Sequence, residues 1–206
     1  MFTGIVQGLG TIAAWGPGAE TRRLVVSTAL PVERLPLGAS IAVDGVCLTV
    51  VERGPGHFAA DVGPETLART TFAQRREGEL VHLEPPLAAG DPLGGHIVAG
   101  HVDGVGVVAA VRPRGEALEL EIDAPVELAR YLAPKGSITV DGVSLTINTA
   151  VENRFGVTLI PHTLAVTHLG QLAVGARVNL EADLLAKHVD RLIAHHVRVP
   201  APGATS

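Results

Sequence analysis

The sequence contains one segment twice. Residues 40–84 and 137–181 align without a gap at a spacing of 97 residues, and 19 of the 45 aligned positions are identical. This identity is far above what composition alone gives two unrelated segments. We therefore predict two copies of one module, each of about 90 residues and long enough to close a small core. The copies differ at a reactive position, because Cys47 in the first corresponds to Ser144 in the second.

Both copies consist of short segments with alternating or continuous apolar residues, bounded by clusters of Gly, Pro and Asp. Closely spaced strands of this kind are typical of antiparallel barrels. We predict a mainly β chain with two tandem six-stranded antiparallel Greek-key barrels followed by a C-terminal α-helix. The predicted divisions are residues 1–96 for the first barrel, 97–183 for the second, and 184–206 for the helix and a disordered tail.

Two Asp-Gly dipeptides, at residues 44–45 and 141–142, are strong hairpin signals, since a type I′ turn needs positive φ at both central residues. The strand after each turn then alternates between an apolar face and a polar face. Cys47 and Thr49 share the polar face in the first copy, and Ser144 and Thr146 share it in the second. Each copy therefore presents a polar pair away from its core.

The last predicted helix covers residues 184–196, with the sequence LLAKHVDRLIAHH. Leu185, Val189, Leu192 and His196 follow one another at spacings of four and three, which is typical of a short coiled-coil seam. Two heptads are too short to associate alone. The Pro-, Gly- and Ala-rich tail from residue 198 is predicted to be disordered.

Composition excludes several classes of function. The formal net charge is −5 and no basic stretch alternates with aromatic residues, so we exclude nucleic acid as the main partner. Cys47 is the only cysteine, which excludes intrachain disulfides and cysteine-rich zinc sites. The N-terminal residues lack the pattern of a secretory signal, and no run approaches 18 apolar residues. We therefore expect a cytoplasmic protein that makes no contact with a membrane.

Individual reactive residues leave alternatives open. Cys47 is either a nucleophile or a small buried apolar residue. His96 and His101 are five residues apart, which places them on opposite faces of an extended segment and disfavours joint binding of a metal. Each of them is either a structural residue or a proton-transfer group. Lys135 is present only in the second copy and is either a surface residue or a contact for a ligand.

Several motifs together resemble one family. In order and spacing, the chain is similar to riboflavin synthases of the alpha-chain type, through MFTGIV, DGVCLTV, PETL, GGHIVAGHVDGVG, KGSITVDGVSLTI, LIPHTL and VNLE. The resemblance covers nearly the whole chain up to the final helix. It implies two lumazine-binding barrels, a helix that assembles a homotrimer with active sites between subunits, and no cofactor or metal. It also implies a transferase that dismutates two molecules of 6,7-dimethyl-8-ribityllumazine. A further partner that it suggests is a separate lumazine synthase.

The resemblance also implies the site residues. We expect the first ligand to contact Gly4, Ile5, Val6, Cys47, Leu48, Thr49, Asp61, Val62, Gly63, Pro64, Glu65 and Thr66. We expect the second to contact Gly100, His101, Val102, Lys135, Ser144, Leu145, Thr146, Thr158, Leu159, Ile160, Pro161, His162 and Thr163. A supporting layer is expected from Phe2, Thr3, Ser40, His96 and Asp183.

The reaction implied by the resemblance moves a four-carbon unit between two identical molecules, which requires two binding sites and no net redox change. Ser144, Thr146 and His101 are the expected proton-transfer residues, and Cys47 is expected to add to the second ring or to polarise it. Which residue is the base, and which barrel holds the donor, stay open. The alternative is a protein that binds a lumazine or a flavin and has no activity, because the predicted double barrel also resembles proteins of that kind.

Overall fold

The computed structural model describes residues 1–16 and 20–196, with side chains up to residue 194. The predicted disordered tail lies outside these residues. The first half forms six strands: β1 (Gly8–Trp15), β2 (Arg22–Thr28), β3 (Ser40–Val43), β4 (Val46–Gly54), β5 (His57–Val62) and β6 (Leu80–Glu84). They pair antiparallel into a closed barrel in the order β1-β2-β5-β4-β3-β6, because β1 also pairs with β6. A short helix, α1 (Pro64–Arg69), follows β5.

The second half repeats this arrangement. Its strands are β7 (Gly104–Arg114), β8 (Ala117–Asp123), β9 (Ser137–Val140), β10 (Val143–Thr146), β11 (Thr149–Val151), β12 (Arg154–Leu159) and β13 (Arg177–Ala182). They form a seven-stranded sheet in the order β10-β9-β13-β7-β8-β12-β11. The seventh strand arises because the counterpart of β4 is divided into β10 and β11. These two strands lie at the ends of the sheet and are joined by the chain, so the cyclic order of the first barrel is kept.

In residues 1–16 and 20–196, three α-helices and four 3₁₀ turns connect and follow the strands. Pro161–Val166 forms α2, the counterpart of α1, and the last helix, α3, runs from Leu184–His196. The 3₁₀ turns cover Val32–Arg34, Thr71–Gln74, Val126–Tyr131 and Leu169–Gln171. The predicted fold class of two tandem antiparallel barrels and a C-terminal helix is confirmed. Among residues 1–16 and 20–196, no helix is both long enough and apolar enough to cross a membrane.

Both hairpin predictions are also confirmed. Asp44 and Gly45 have φ of 46° and 77°, and Asp141 and Gly142 have φ of 45° and 80°, as a type I′ turn requires. After each turn the apolar side chains enter the core, and the polar pair faces outward. The apolar residues that follow the two turns are Val46, Leu48, Val50, Val143, Leu145 and Ile147, all buried.

The two barrels contact each other around a local two-fold axis. Phe2 and Val98 are equivalent positions in the two copies, and they form an antiparallel bridge with N–H···O distances of 2.8 and 3.1 Å. The two turn glycines also touch, since a Cβ on Gly45 would lie 2.7 Å from the nitrogen of Gly142. Contacts between equivalent residues are typical of an isologous interface. The duplicated modules therefore pack as a symmetric dimer does, within one chain.

Candidate functional site

The segment before each barrel crosses to the other barrel. The Cys47 N–H donates to the Gly100 carbonyl at 2.8 Å, and the Ser144 N–H donates to the Gly4 carbonyl at 2.7 Å. Both glycines have positive φ, and a Cβ on either would lie 2.7 Å from the Cβ of Cys47 or Ser144. Only glycine allows this approach without displacement.

The structure pairs these segments differently from our expected grouping of the site residues. We expected residues 4–6 beside Cys47 and residues 100–102 beside Ser144, whereas the structure exchanges these two segments. The alignment of the copies identified equivalent positions correctly. It could not show which copy each segment packs against. The two segments align with each other whether each packs on its own barrel or on the other one. Strand β1 accordingly begins at Gly8, after the crossing segment.

A buried carboxylate holds each crossing segment. Glu84 accepts hydrogen bonds from the Thr3 N–H at 2.6 Å, the Thr3 hydroxyl at 2.8 Å and the Gly4 N–H at 3.0 Å. Glu181 accepts from the N–H groups of residues 99, 100 and 101 at 2.8, 2.9 and 3.0 Å. Burial raises the pKa of both carboxyl groups, against the opposing effect of these bonds. We had not predicted either glutamate. The sequence did contain a signal, because a glutamate ends each of the apolar motifs VHLE and VNLE. A glutamate at the end of a buried strand is almost always paired, so each one indicated a hydrogen-bond partner.

The first cleft lies beside Cys47 and has a volume of about 330 Å³. It is open to solvent, and Cys47 and His101 face it from different barrels. The expected residues Glu65 and Thr66 also line it, as they belong to α1 at the end of β5. The full lining is Val46, Cys47, Glu65, Thr66, Arg69, Thr70, Gly100, His101, Val102 and Asp103.

The second site is centred on Ser144. Its hydroxyl oxygen lies 2.7 Å from Nδ1 of His96, and the backbone N–H of His96 donates to the Thr3 carbonyl at 3.1 Å. Burial lowers the pKa of His96, with the charge of Asp183 opposing this effect. A neutral imidazole beside a serine hydroxyl can accept the hydroxyl proton. We had placed His96 only in the supporting layer, and the direct contact with Ser144 was not visible in the sequence.

Other expected residues line a separate groove or lie on the surface of the first barrel. Thr158 shares a groove of about 490 Å³ with Lys135 on the outside of the second barrel, and the Asn148 side-chain amide donates to its hydroxyl at 2.8 Å. Lys135 is exposed and has a φ of 70°. Asp61 forms an ion pair with Arg23 on the outer surface of the first barrel. The structure brings Glu65 and Thr66, but not Asp61, into the lining of the Cys47 cleft.

The remaining expected residues follow the local symmetry. Thr49 and Thr146 are exposed on the polar faces, while Leu48 and Leu145 point into the cores. Residues 62–64 and 159–163 lead from the ends of β5 and β12 into α1 and α2. In the supporting layer, Phe2 is fully buried and Ser40 pairs with Thr49 between β3 and β4. Asp183 accepts a hydrogen bond from the Leu185 N–H at 2.9 Å at the start of α3.

A buried polar cluster fills the contact between the two barrels. Asp44 forms an ion pair with Arg75 at 2.5 Å and a hydrogen bond with Nε2 of His168 at 3.1 Å. The ring of His168 stacks on that of His82 at a centroid distance of 3.7 Å. Burial lowers the pKa of His82 to about 4. For His168, burial opposes ionisation, but the hydrogen bond and charge of Asp44 outweigh it and raise the pKa.

Asp44, His82 and His168 have ligand atoms within 4.8 Å of one another, as a metal site would require. Both ring nitrogens of His82 are already engaged, however. Nδ1 lies 2.8 Å from the Asp141 carbonyl, and Nε2 accepts the His168 N–H at 2.9 Å. Rings stacked at an angle of 5° do not direct their nitrogens to a common point. The cluster therefore holds the two barrels together and does not form a metal centre.

Comparison with known proteins gives the family. A model of the lumazine binding domain matches residues 3–85 and 99–183. Riboflavin synthase of Mycobacterium tuberculosis is 47% identical over 197 residues, covering 94% of this chain and 98% of that protein. Those of Photobacterium leiognathi and Bacillus subtilis are 43% and 38% identical, each over 94% of this chain and over 89% and 90% of the relatives.

Solved structures agree with this result. LumP complexed with riboflavin has a TM-score of 0.82 and 28% identity, covering 88% of this chain and 99% of LumP. LumP complexed with 6,7-dimethyl-8-(1'-D-ribityl) lumazine has a TM-score of 0.80 and 27% identity, with the same coverage of both chains. Two lumazine-binding domains occur in one chain whose similarity to riboflavin synthases extends over nearly its full length. The chain belongs to the riboflavin synthase family.

Proposed function

We propose that this chain is a transferase that converts two molecules of 6,7-dimethyl-8-ribityllumazine into riboflavin and 5-amino-6-(D-ribitylamino)uracil. One observation carries the proposal: a single scaffold occurs twice and presents two unlike reactive pairs. Cys47 and His101 face one cleft, and Ser144 and His96 form a hydrogen-bonded pair at the equivalent place in the second copy. Dismutation needs two copies of the same molecule to be held in different roles, which this arrangement supplies.

The Ser144–His96 pair is the proposed base. The 7-methyl group of a bound lumazine loses a proton to the Ser144 oxygen as the serine proton moves to His96, 2.7 Å away. The resulting carbanion is delocalised over the ring and attacks a ring carbon of the second lumazine. Because burial lowers the pKa of His96, its imidazole is neutral near pH 7 and able to accept the proton. Thr146 is exposed on the same face of its strand as Ser144 and orients the substrate.

Cys47 and His101 then act on the accepting lumazine. The cleft that they share places a thiol and an imidazole from different barrels next to one substrate. Cys47 adds to the ring or polarises it, and His101 transfers the proton that follows. Bringing the two lumazines together contributes up to about 7 to 11 kcal/mol in favourable cases. The assignment of Ser144 to the donor and Cys47 to the acceptor is part of the proposal.

Assembly into a homotrimer completes the proposal. One face of α3 exposes four apolar side chains, which is unusual for a helix that has no further partner. The exposed fractions are 61% for Leu185, 52% for Val189, 63% for Leu192 and 52% for Ile193. We infer that copies of this helix pack together, so that residues 184–206 serve assembly while residues 1–96 and 97–183 form the two binding domains. Each active site then lies between the first barrel of one copy and the second barrel of another. Light scattering tests the trimer, because it measures the molar mass of the assembly. The proposal also includes a cytoplasmic location and an association with a lumazine synthase.

The deciding experiment incubates the purified chain with 6,7-dimethyl-8-ribityllumazine alone and follows riboflavin formation. We expect one riboflavin for every two lumazines consumed. Ser144→Ala should lower turnover by about 10²- to 10⁴-fold, the usual contribution of a general base. The same variant should still bind two lumazines per chain, measured by fluorescence titration. Tight binding by the unaltered chain without turnover would establish the alternative, a lumazine-binding or flavin-binding protein.

A further inference from the structure

An ion pair joins α3 to the rim of the Cys47 cleft. Nζ of Lys187 lies 3.0 and 2.8 Å from the two carboxylate oxygens of Asp103. The side chains are only 21% and 23% exposed, so solvent screens this pair less than a surface ion pair. Asp103 lines the cleft together with Cys47 and His101. The last helix is therefore attached to a residue that faces the site.

The segment that carries Asp103 is fixed at several points by hydrogen bonds to its backbone and to the Asp103 carboxylate. The Asp103 N–H donates to the Leu180 carbonyl at 2.8 Å, and its carboxylate accepts from the Ala182 N–H at 2.9 Å. Glu181 holds residues 99–101 from the neighbouring position. Two carboxylates thus lie close together at this point, and the charge of Asp103 helps to raise the pKa of Glu181 while Lys187 opposes it. Lys187 is the cation that compensates both acids.

The first copy of the module lacks this contact. The positions equivalent to Asp103 and Lys187 are Gln7 and Gly90, which cannot form an ion pair. Gln7 is exposed, and within the described part of the chain its side-chain amide donates a hydrogen bond only to the Ile5 carbonyl, at 3.3 Å. The segment beside Ser144 is therefore held by Glu84 without a charged connection to a helix. The ion pair distinguishes the Cys47 cleft from its counterpart.

We propose that Lys187 is a positioning residue for the Cys47 cleft. Through Asp103 it fixes the backbone of residues 100–103, which carries the Gly100 carbonyl against the Cys47 N–H and places His101 over the bound substrate. This inference rests on the proposed function. Because Lys187 belongs to the helix that we assign to assembly, the contact also links packing of the helices to the geometry of the site.

Three variants test this role by steady-state kinetics with 6,7-dimethyl-8-ribityllumazine. Lys187→Met should lower kcat between about 10- and 100-fold, the cost of a small misplacement of reacting groups. KM should change by less than about threefold, because the contact acts on the reacting geometry more than on ground-state binding. Lys187→Arg should restore most of the activity, since a guanidinium pairs well with two carboxylate oxygens. Asp190→Asn is the matched control. Asp190 forms an ion pair between the same helix and Arg130, with an N···O distance of 3.2 Å, and this pair does not line the cleft.

A double-mutant cycle shows whether Lys187 acts through Asp103. In an Asp103→Asn background, Lys187→Met should lower kcat by less than about twofold, as expected for residues that act as one unit. An equal loss in both backgrounds, or an equal loss in Asp190→Asn, would overturn the proposal.

Hydrogen exchange separates this inference from the proposed function. Lys187→Met should accelerate exchange in peptides covering residues 98–106, whereas peptides covering residues 2–8 should stay as they are in the unaltered chain. Unaltered exchange in both regions would also overturn the inference. If the unaltered chain produces no riboflavin, the proposed function fails, and the exchange experiment still decides whether Lys187 fixes this segment.

Discussion

Asp141 lies at the contact between the two barrels with one carboxylate oxygen unpaired. Its side chain is fully buried. Oδ1 accepts the Asn179 N–H at 2.7 Å, while Oδ2 has no hydrogen-bond partner among the described residues. Burial, followed by the charge of Asp44, raises the pKa of Asp141 to about 7. Ionised Asp141 is therefore destabilising, and we predict that Asp141→Asn increases stability at high pH.

The size of the effect follows from the difference between the two states. An increase from 3.8 to about 7 corresponds to an upper limit of about 4 kcal/mol at 1.36 kcal/mol per pKa unit. Below about pH 4 the carboxyl group is protonated in both states and contributes nothing. Between about pH 4 and pH 7 the unfolded chain ionises while the folded chain keeps its proton, so stability falls as pH rises. Above pH 7 the folded protein carries the full cost. Asparagine keeps the acceptor for Asn179 and cannot ionise.

Urea unfolding followed by the fluorescence of Trp15, the single tryptophan, measures this effect. Protein concentration must be equal throughout, because assembly contributes to apparent stability. We expect Asp141→Asn to exceed the unaltered chain by at most about 1 kcal/mol near pH 4.5 and by about 2 to 4 kcal/mol at pH 8. A variant that is destabilised equally at both pH values would refute the reasoning.

Asp44 is the matched control, since it occupies the equivalent position and is paired. Burial would raise its pKa, but Arg75 and His168 outweigh burial and hold the pKa below its usual value. Asp44→Asn removes the buried charge that pairs with Arg75, leaves that guanidinium only the longer contact with Glu79 at 3.5 Å, and should cost about 3 to 5 kcal/mol at pH 8. Opposite signs for two equivalent aspartates would show that their neighbours, and not burial alone, determine the effect.

Two further predictions concern the same contact and the crossing segments. His82→Asn should fold with a loss below about 2 kcal/mol in urea unfolding, because Asn179, its equivalent, supports the same donor and acceptor contacts; His82→Phe removes both and should lose about 2 to 5 kcal/mol. A loss in His82→Asn as large as in His82→Phe would contradict this reasoning. Gly100→Ala should weaken lumazine binding in the Cys47 cleft and Gly4→Ala should weaken it at the Ser144 site, each with a backbone cost of about 1 to 2 kcal/mol. Titration of each variant in a background with the other cleft blocked distinguishes the sites, and reversed effects would contradict the crossing.

Local features of the fold could be predicted from the sequence. The Asp-Gly turns, the alternation around Cys47 and Ser144, and the bounds of α3 depend on neighbouring residues only, so periodicity and turn chemistry were sufficient. The exchange of the two N-terminal segments depends on packing between modules that are nearly 100 residues apart. The similarity between the two copies does not distinguish the two arrangements, because the same positions align in both.

The polar cluster was missed for a different reason. The turn requirement alone explained Asp44 and Asp141, so nothing in the sequence indicated that their side chains are buried. The contact between His96 and Ser144 likewise joins residues 48 positions apart. The one available sign was that Asn179 replaces His82 between otherwise similar motifs, since both side chains carry a donor group and an acceptor group.

Covalent duplication explains why the two aspartates can differ. In a symmetric dimer, equivalent aspartates near the axis would have identical neighbours, and both would repel each other when ionised. Within one chain, Arg75 and His168 lie beside Asp44, whereas the equivalent positions hold Leu172 and Thr71. One carboxylate is thereby stabilised and the other is kept protonable. Cys47 against Ser144, and the Asp103–Lys187 ion pair against Gln7 and Gly90, show the same principle at the clefts. Because each half can change alone, a scaffold that binds one heterocycle twice can give its two ligands different fates.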